Sequence, residues 1–280
     1  MNKRIVFSVI KNGIINGYPF VESYMSWLSY CDEIFILDGG STDGTIEILN
    51  SLTNISKKFK FEVSKWPSSN IDGSSIAIFT NECLDIVKSR ADYLTYIQAD
   101  EIFEKNDRQE IFNFKGDIFQ VNKYVLFWNT FSDIINFDLN SNDIFTRWTS
   151  IRCFRSDLDI NSIGDGLTFK CYNNDVEIYN SNSIVYHYGW NFPKNILQKH
   201  ISHMNLYNNS EIYKLRGLLS KYLLKNEFFS NRYINILDKQ YLKFRRDFNS
   251  LHPNCVRHLV DQTYYNPYLG VSLLQNGIRW

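Results

Sequence analysis

Short apolar runs alternate along the chain with segments whose apolar positions recur at helical spacing. Ile5 to Ile10 is nearly all apolar and predicts a buried strand, with Lys11-Asn12-Gly13 as the loop leaving its carboxyl end. Pro19 suits a first helical turn, and Val21, Tyr24, Met25 and Leu28 behind it fall at i, i+3, i+4, i+7. Glu33 to Leu37 predicts a second strand, Ile46, Ile48 and Leu49 open a helix, and Phe59 to Val63 predicts a third strand closed by Trp66-Pro67. Ile76, Phe79, Cys83, Ile86 and Val87 place a helix between Ser74 and Arg90, and Tyr93 to Ile97 predicts a fourth strand that breaks into Gln98-Ala99-Asp100-Glu101. This alternation specifies an α/β fold, a mixed and mainly parallel sheet sandwiched by helices. The loops after three of its strands, at 11–13, 38–45 and 98–101, then converge on one rim. Open α/β sheets bind ligands at that edge.

After about residue 115 the pattern changes. Ile118 to Trp128 and Ile144 to Phe154 read as long, aromatic-rich strands with no helix between them, and Ile163-Gly164-Asp165-Gly166 as a turn. Ile184 to Tyr188 is a further strand, ending in His187-Tyr188-Gly189-Trp190. Beyond Pro193 the chain reads as helical, with Ile212, Leu215, Leu218, Leu219 and Tyr222 on one apolar face and Lys239 to Arg246 amphipathic and basic. The change of texture near residue 195 divides the expected chain into a sheet unit, 1–195, and a mainly helical extension, 196–280.

Composition narrows the function. Lys plus Arg and Asp plus Glu are both 30, so the net charge is zero and bulk attraction to nucleic acid is excluded. An anionic ligand must be met locally, by a metal, a helix end or a few basic side chains. The five cysteines are odd in number, spread out and never in a Cys-x-x-Cys pair, which predicts reduced thiols and neither a disulfide framework nor a zinc site. The basic start lacks a cleavage pattern, and no apolar run nears the ~20 residues of a membrane span. A cytoplasmic protein is expected.

Asp38-Gly39-Gly40-Ser41-Thr42-Asp43-Gly44-Thr45 resembles the Asp-Asp-Gly-Ser-Thr-Asp-Gly-Thr signature of family-two glycosyltransferases. Gln98-Ala99-Asp100-Glu101 resembles that family's Asp-x-Asp metal motif, and Ile163-Gly164-Asp165 the later segment that carries its catalytic base. The resemblance covers roughly residues 3–190. It implies the GT-A nucleotide-sugar-binding fold over 1–195 and an inverting transfer from a nucleotide-sugar donor to the hydroxyl of a glycan or lipid-linked acceptor. It also implies Mn2+ or Mg2+ held by Asp100 and His187, with Asp165 as the base and Ile10, Asn12, Asp38, Gly39, Gln98 and Ala99 at the donor. Two departures stand out. Gly39 replaces a second Asp that commonly contacts the base, and Gln98 replaces the first carboxylate of the metal motif.

The chemistry has a demand that these residues meet. A departing nucleoside diphosphate gathers negative charge, which a hard cation on one or two carboxylates can stabilise. Glu101 supplies a second oxygen or caps a helix, and Gln98 ligates through its amide or contacts ribose or sugar. His187 is a metal ligand or a packed strand residue, and Tyr188 and Trp190 stack on the ligand or fill the core. Asp165 takes the acceptor's proton or is an ordinary Gly-Asp-Gly turn residue. Asp43 caps the following helix. Arg147, Arg152 and Arg155 meet phosphate bidentately or, the favoured reading, form surface pairs, and His200 with His203 reads as carrying no site. A nucleotidyltransferase is an alternative that requires a Gly-rich basic loop, of which Lys11-Asn12-Gly13 is a poor version. Gly39 and Gln98 suggest a second alternative, a degenerate glycan-binding or scaffold protein. The helical tail is expected on the acceptor side, contacting a membrane surface or a second subunit through Lys239 to Arg246.

Overall fold

Among the described residues, strand β1 (Arg4–Ile10) lies inside an eight-stranded sheet whose order is β3 (Phe59–Val63), β2 (Glu33–Asp38), β1, β4 (Tyr93–Tyr96), β7 (Phe145–Arg155), β6 (Ile118–Leu126), β10 (Ile178–His187) and β5 (Glu101–Phe103). The computed structural model describes residues 2–67, 72–126, 145–189, 192–207, 209–226, 231, 259 and 265–276. Its first half runs β1, α1 (Phe20–Met25), β2 (Glu33–Asp38), α2 (Thr45–Ile55), β3 (Phe59–Val63), α3 (Ser75–Lys88) and β4 (Tyr93–Tyr96). β1 to β4 are mutually parallel, so their carboxyl ends share one edge, with Ile10 paired to Asp38 and Phe7 to Tyr96. β2 and β4 flank β1 on opposite sides, which opens a crevice above it.

β1 shows why both faces must be covered. Ile5, Phe7 and Val9 point into one apolar cluster with Phe79, Leu84 and Val87 of α3, while Val6 and Ile10 point into the other with Phe20, Tyr24, Ile48 and Leu52. The two-residue alternation of side chains thus builds two cores from one continuous apolar run.

The second half adds β5 (Glu101–Phe103), α4 (Lys105–Asn113), β6 (Ile118–Leu126), β7 (Phe145–Arg155), β8 (Ile160–Ile163), β9 (Thr168–Cys171) and β10 (Ile178–His187). β7 joins the sheet antiparallel to β4 and β6, while β10 runs parallel to β6 and antiparallel to β5. The mixed, mainly parallel sheet expected from the sequence is therefore present, and the later strands bring in the antiparallel pairs. β8 and β9 form a separate hairpin whose tip carries Gly164-Asp165-Gly166. Neither β5 nor α4 was legible in the apolar pattern, because the strand is three residues long and the helix is mostly polar.

The described end of the chain is helical: α5 (Pro193–Leu206), α6 (Glu211–Lys225) and α7 (Pro267–Gln275). α5 packs on α6, and α7 reaches back to α1 and α2. Tyr265, just before α7, is fully buried and its hydroxyl donates to Glu22 of α1 at 2.9 Å. Asn195 of α5 donates to the carbonyls of Ile14 and Ile15 and accepts from the Tyr265 amide, pinning the β1–α1 loop. The Lys239–Arg246 segment, Trp190 and the Arg147 side chain lie outside the described residues. So do the ends of the two long predicted strands at 127–128 and 144.

Candidate functional site

The β2–α2 loop is shaped by its own first residue. Asp38 is buried, and its carboxylate accepts from the Gly40 amide (2.9 Å), the Ser41 amide (2.7 Å) and the Ser41 hydroxyl (2.6 Å). Asn12, at φ 51°, tolerates the left-handed conformation that lets it meet this loop. Its amide donates to Ser41 and its side-chain oxygen accepts from the Thr42 amide. Thr45 accepts from Gly13, and Asp43 from Ile15 and Thr45. Two loops are thereby welded into one wall; the N-cap of α2 is Gly44, not the expected Asp43, whose carboxylate instead accepts from the amide and hydroxyl of Thr45.

Gly39 has a steric reason. A Cβ there would stand 2.4 Å from Cε3 of Trp66, so the indole fills the place that a second aspartate would need. Lys11 reaches over the same indole at 5.5 Å. Burial lowers the pKa of Lys11, with the nearby Asp38 opposing that shift. Ile10 and Ala99 send their side chains into the core; the Ile10 carbonyl accepts from the Gly39 amide.

A second cluster gathers at the end of β4. His187 Nε2 stands 3.3 Å from Asp100 Oδ1, and Lys199 Nζ stands 3.7 Å from Asp100 Oδ2. Lys199 is buried, donates to the Gly189 carbonyl and lies 4.5 Å over the Tyr18 ring. The three side chains close on Gly189. A Cβ at that position would be 2.4 Å from Asp100 Oδ2, 2.7 Å from Lys199 Nζ and 2.8 Å from His187 Cε1. Burial, then Asp100 and Tyr207, raise the pKa of Tyr18, so it stays a neutral phenol.

Asp165 sits at the tip of the β8–β9 hairpin. Gly164 and Gly166 both adopt positive φ, at 60° and 77°, and the Gly166 carbonyl accepts from the Gln98 side chain at 3.3 Å. Tyr207, at the end of α5, donates from its hydroxyl to Asp165 Oδ2 at 3.4 Å. Gln98 is thus tied to the hairpin tip that carries Asp165.

Glu101 is committed elsewhere. It is buried and forms a two-pronged pair with Arg152, Nε to Oε2 at 3.0 Å and Nη2 to Oε1 at 2.5 Å. Arg152 is fully buried, which corrects its reading as a surface arginine. The buried Glu101 demanded a cation, and β7 supplies it from its inner face. Arg152 also donates to the Leu167 carbonyl at 3.0 Å, so the pair anchors the hairpin to the sheet. Arg155 is a surface pair with Asp117 and Asp157.

Three other contributors escaped the sequence reading: Lys199, Tyr207 and Trp66. A signal existed for the first. Ile196, Lys199, His200 and His203 recur at i, i+3, i+4, i+7, a basic stripe on the inward face of a helix. His200 and His203 belong to it, and burial together with neighbouring cations lowers both pKa values, that of His200 to about 4.

No protein-family model and no curated protein matches the chain. Among solved structures, TarS from S. aureus is similar at 15% identity and a TM-score of 0.38, over 92% of this chain and 52% of that one. This chain thus spans about half the length of that TarS structure. TarS 1–349 is similar at 15% identity over 99% of this chain and 92% of that one, again with a TM-score of 0.38. TarS 1–349 in complex with UDP gives 14% identity with the same coverage and TM-score. The reading of the site rests on its own geometry.

Proposed function

We propose that the chain is an inverting, metal-dependent glycosyltransferase of the GT-A type, moving a sugar from a nucleotide-sugar donor to a glycan or lipid-linked acceptor hydroxyl. The observation that carries the reading is the meeting of Asp100, His187 and Lys199 on Gly189, with Asp165 joined to the same rim through Tyr207 and Gln98. A phosphate-bearing ligand needs local cations in a chain of zero net charge, and this rim provides them.

The donor set suits a hard cation. Asp100 Oδ1 and His187 Nε2 are 3.3 Å apart, close to the separation of about 3 Å between adjacent ligands on one such ion. Among the described residues, no third His, Cys, Asp or Glu joins them. Mg2+ and Mn2+ sites of this kind leave positions for phosphate oxygens and water. When bound, the ion would neutralise charge that develops on the departing diphosphate. Lys199 adds a fixed cation beside the carboxylate, held over the Tyr18 ring. The loop held by Asp38, Asn12 and Ser41 forms the nucleotide wall, with the Trp66 indole in place of an acidic base contact. Asp165 takes the acceptor's proton, and Tyr207 fixes which carboxylate oxygen faces it.

The test is nucleoside diphosphate release from UDP-, GDP-, dTDP- and CDP-sugars with Mn2+ present. Release from one donor is expected, and Asp165→Asn should cut it by about 10²–10⁴-fold while leaving nucleotide affinity unchanged. No release from any donor by the native protein would favour the binding-protein alternative.

A further inference from the structure

Helix α6 turns its apolar stripe outward. Ile212, Leu215, Leu218 and Tyr222 are 62%, 62%, 59% and 59% exposed. The face toward α5 is built instead from small residues: a Cβ on Gly217 would lie 2.5 Å from the Met204 Cβ, and Ser220 Oγ meets His200 Nδ1 at 3.0 Å. The sequence pattern located the apolar face correctly, but the helix packs through its opposite side. A contiguous exposed apolar face of this kind marks an interaction surface.

Its border says what the surface meets. The helix holds Lys214, Arg216, Lys221 and Lys225 against a single acid, Glu211, which pairs with Lys214 at 2.8 Å. Lys221 and Lys225 are exposed on the edge of the stripe. A helix with Leu, Ile and Tyr on one face and lysines beside them has the composition of one lying in a membrane interface, the lysine stems extending to the headgroups. Among the described residues no helix is long and apolar enough to cross a membrane, so contact would be along the surface. A second copy docking on the same stripe would bring like-charged lysine edges together with only Glu211 to offset them. Charge complementarity favours an anionic lipid face.

We propose that α6 docks the protein on an anionic membrane surface, with Ile212, Leu215, Leu218 and Tyr222 entering the headgroup–acyl boundary and Lys221 and Lys225 meeting lipid phosphates. The inference does not rest on the reading of the site. It has a bearing on it, because Tyr213 of the same helix stacks on Tyr207 at 4.8 Å, and Tyr207 reaches Asp165. The docked helix stands one ring from the proposed base.

Co-sedimentation of the full chain with phosphatidylcholine vesicles, with and without phosphatidylglycerol, tests this directly. Binding to the anionic vesicles should be at least about tenfold tighter than to neutral ones and should weaken with salt. Leu215→Ser with Leu218→Ser should lose about tenfold or more of that binding at an unchanged melting temperature. Lys221→Glu with Lys225→Glu should lose the preference for phosphatidylglycerol. Absence of binding to either vesicle, or binding undiminished in the leucine variant, would overturn the proposal. A native dimer that becomes monomeric in the leucine variant, without vesicle binding, would assign the stripe to a second copy and overturn it equally.

Discussion

At the scale of single residues, two glycines decide the shape of the site, and both act through the side chain they lack. Gly189 is the point on which Asp100, Lys199 and His187 close. Gly189→Ala must push the three apart, and the loss expected in Mn2+-dependent nucleotide affinity is about 10–100-fold, measurable by calorimetric titration. A variant that bound nucleotide with native affinity would show that the cluster is not the donor site. Gly39 is the converse case. An aspartate there would match the family signature, yet it would collide with Trp66. Gly39→Asp is therefore expected to destabilise the fold by about 1–3 kcal/mol in urea unfolding, and Trp66→Ala should relieve that cost.

At the scale of elements, the Glu101–Arg152 pair fastens β5 to β7 and, through Leu167, fastens the hairpin that carries Asp165. Arg152→Met leaves a buried carboxylate without its cation, at a cost of about 3–5 kcal/mol by denaturant unfolding. Adding Glu101→Gln should recover much of that loss, because the uncompensated charge is gone. The α5–α6 contact has its own signature. The unfolded chain takes up protons on histidine below pH ~6.5, while folded His200 stays neutral to about 4. Its contribution is therefore complete above pH 6.5 and is lost as pH falls toward 4, on the order of 3 kcal/mol over that window. Melting temperatures recorded from pH 7 to 5 should fall less steeply in His200→Asn than in the native protein.

At the scale of the whole molecule, the parallel half of the sheet was legible because β1, β2 and β4 are buried along nearly their whole length and read as apolar runs, while the edge strand β3 shows an apolar–polar alternation. Strand β3 matches its predicted bounds, and β1 and β4 differ from theirs by one residue. What was hidden follows from long-range geometry. Arg152 looked like a surface residue until Glu101 was found beneath it, and Lys199 comes from a helix about a hundred residues after Asp100. Local pattern carries no sign of such meetings. The apolar stripe of α6 was visible in the sequence, but its spacing is the same whether the face is buried or exposed. The central claim, a metal-bridged nucleotide site at Asp100, is tested most directly by thermal shift with uridine, guanosine, thymidine and cytidine diphosphates, with and without Mn2+, on the native protein and Asp100→Ala. One nucleotide should stabilise the native fold only when Mn2+ is present and should lose that effect in the variant. Stabilisation that is independent of Mn2+ and unchanged in Asp100→Ala would contradict the metal-bridged site, and no stabilisation by any nucleotide would contradict the transferase reading itself.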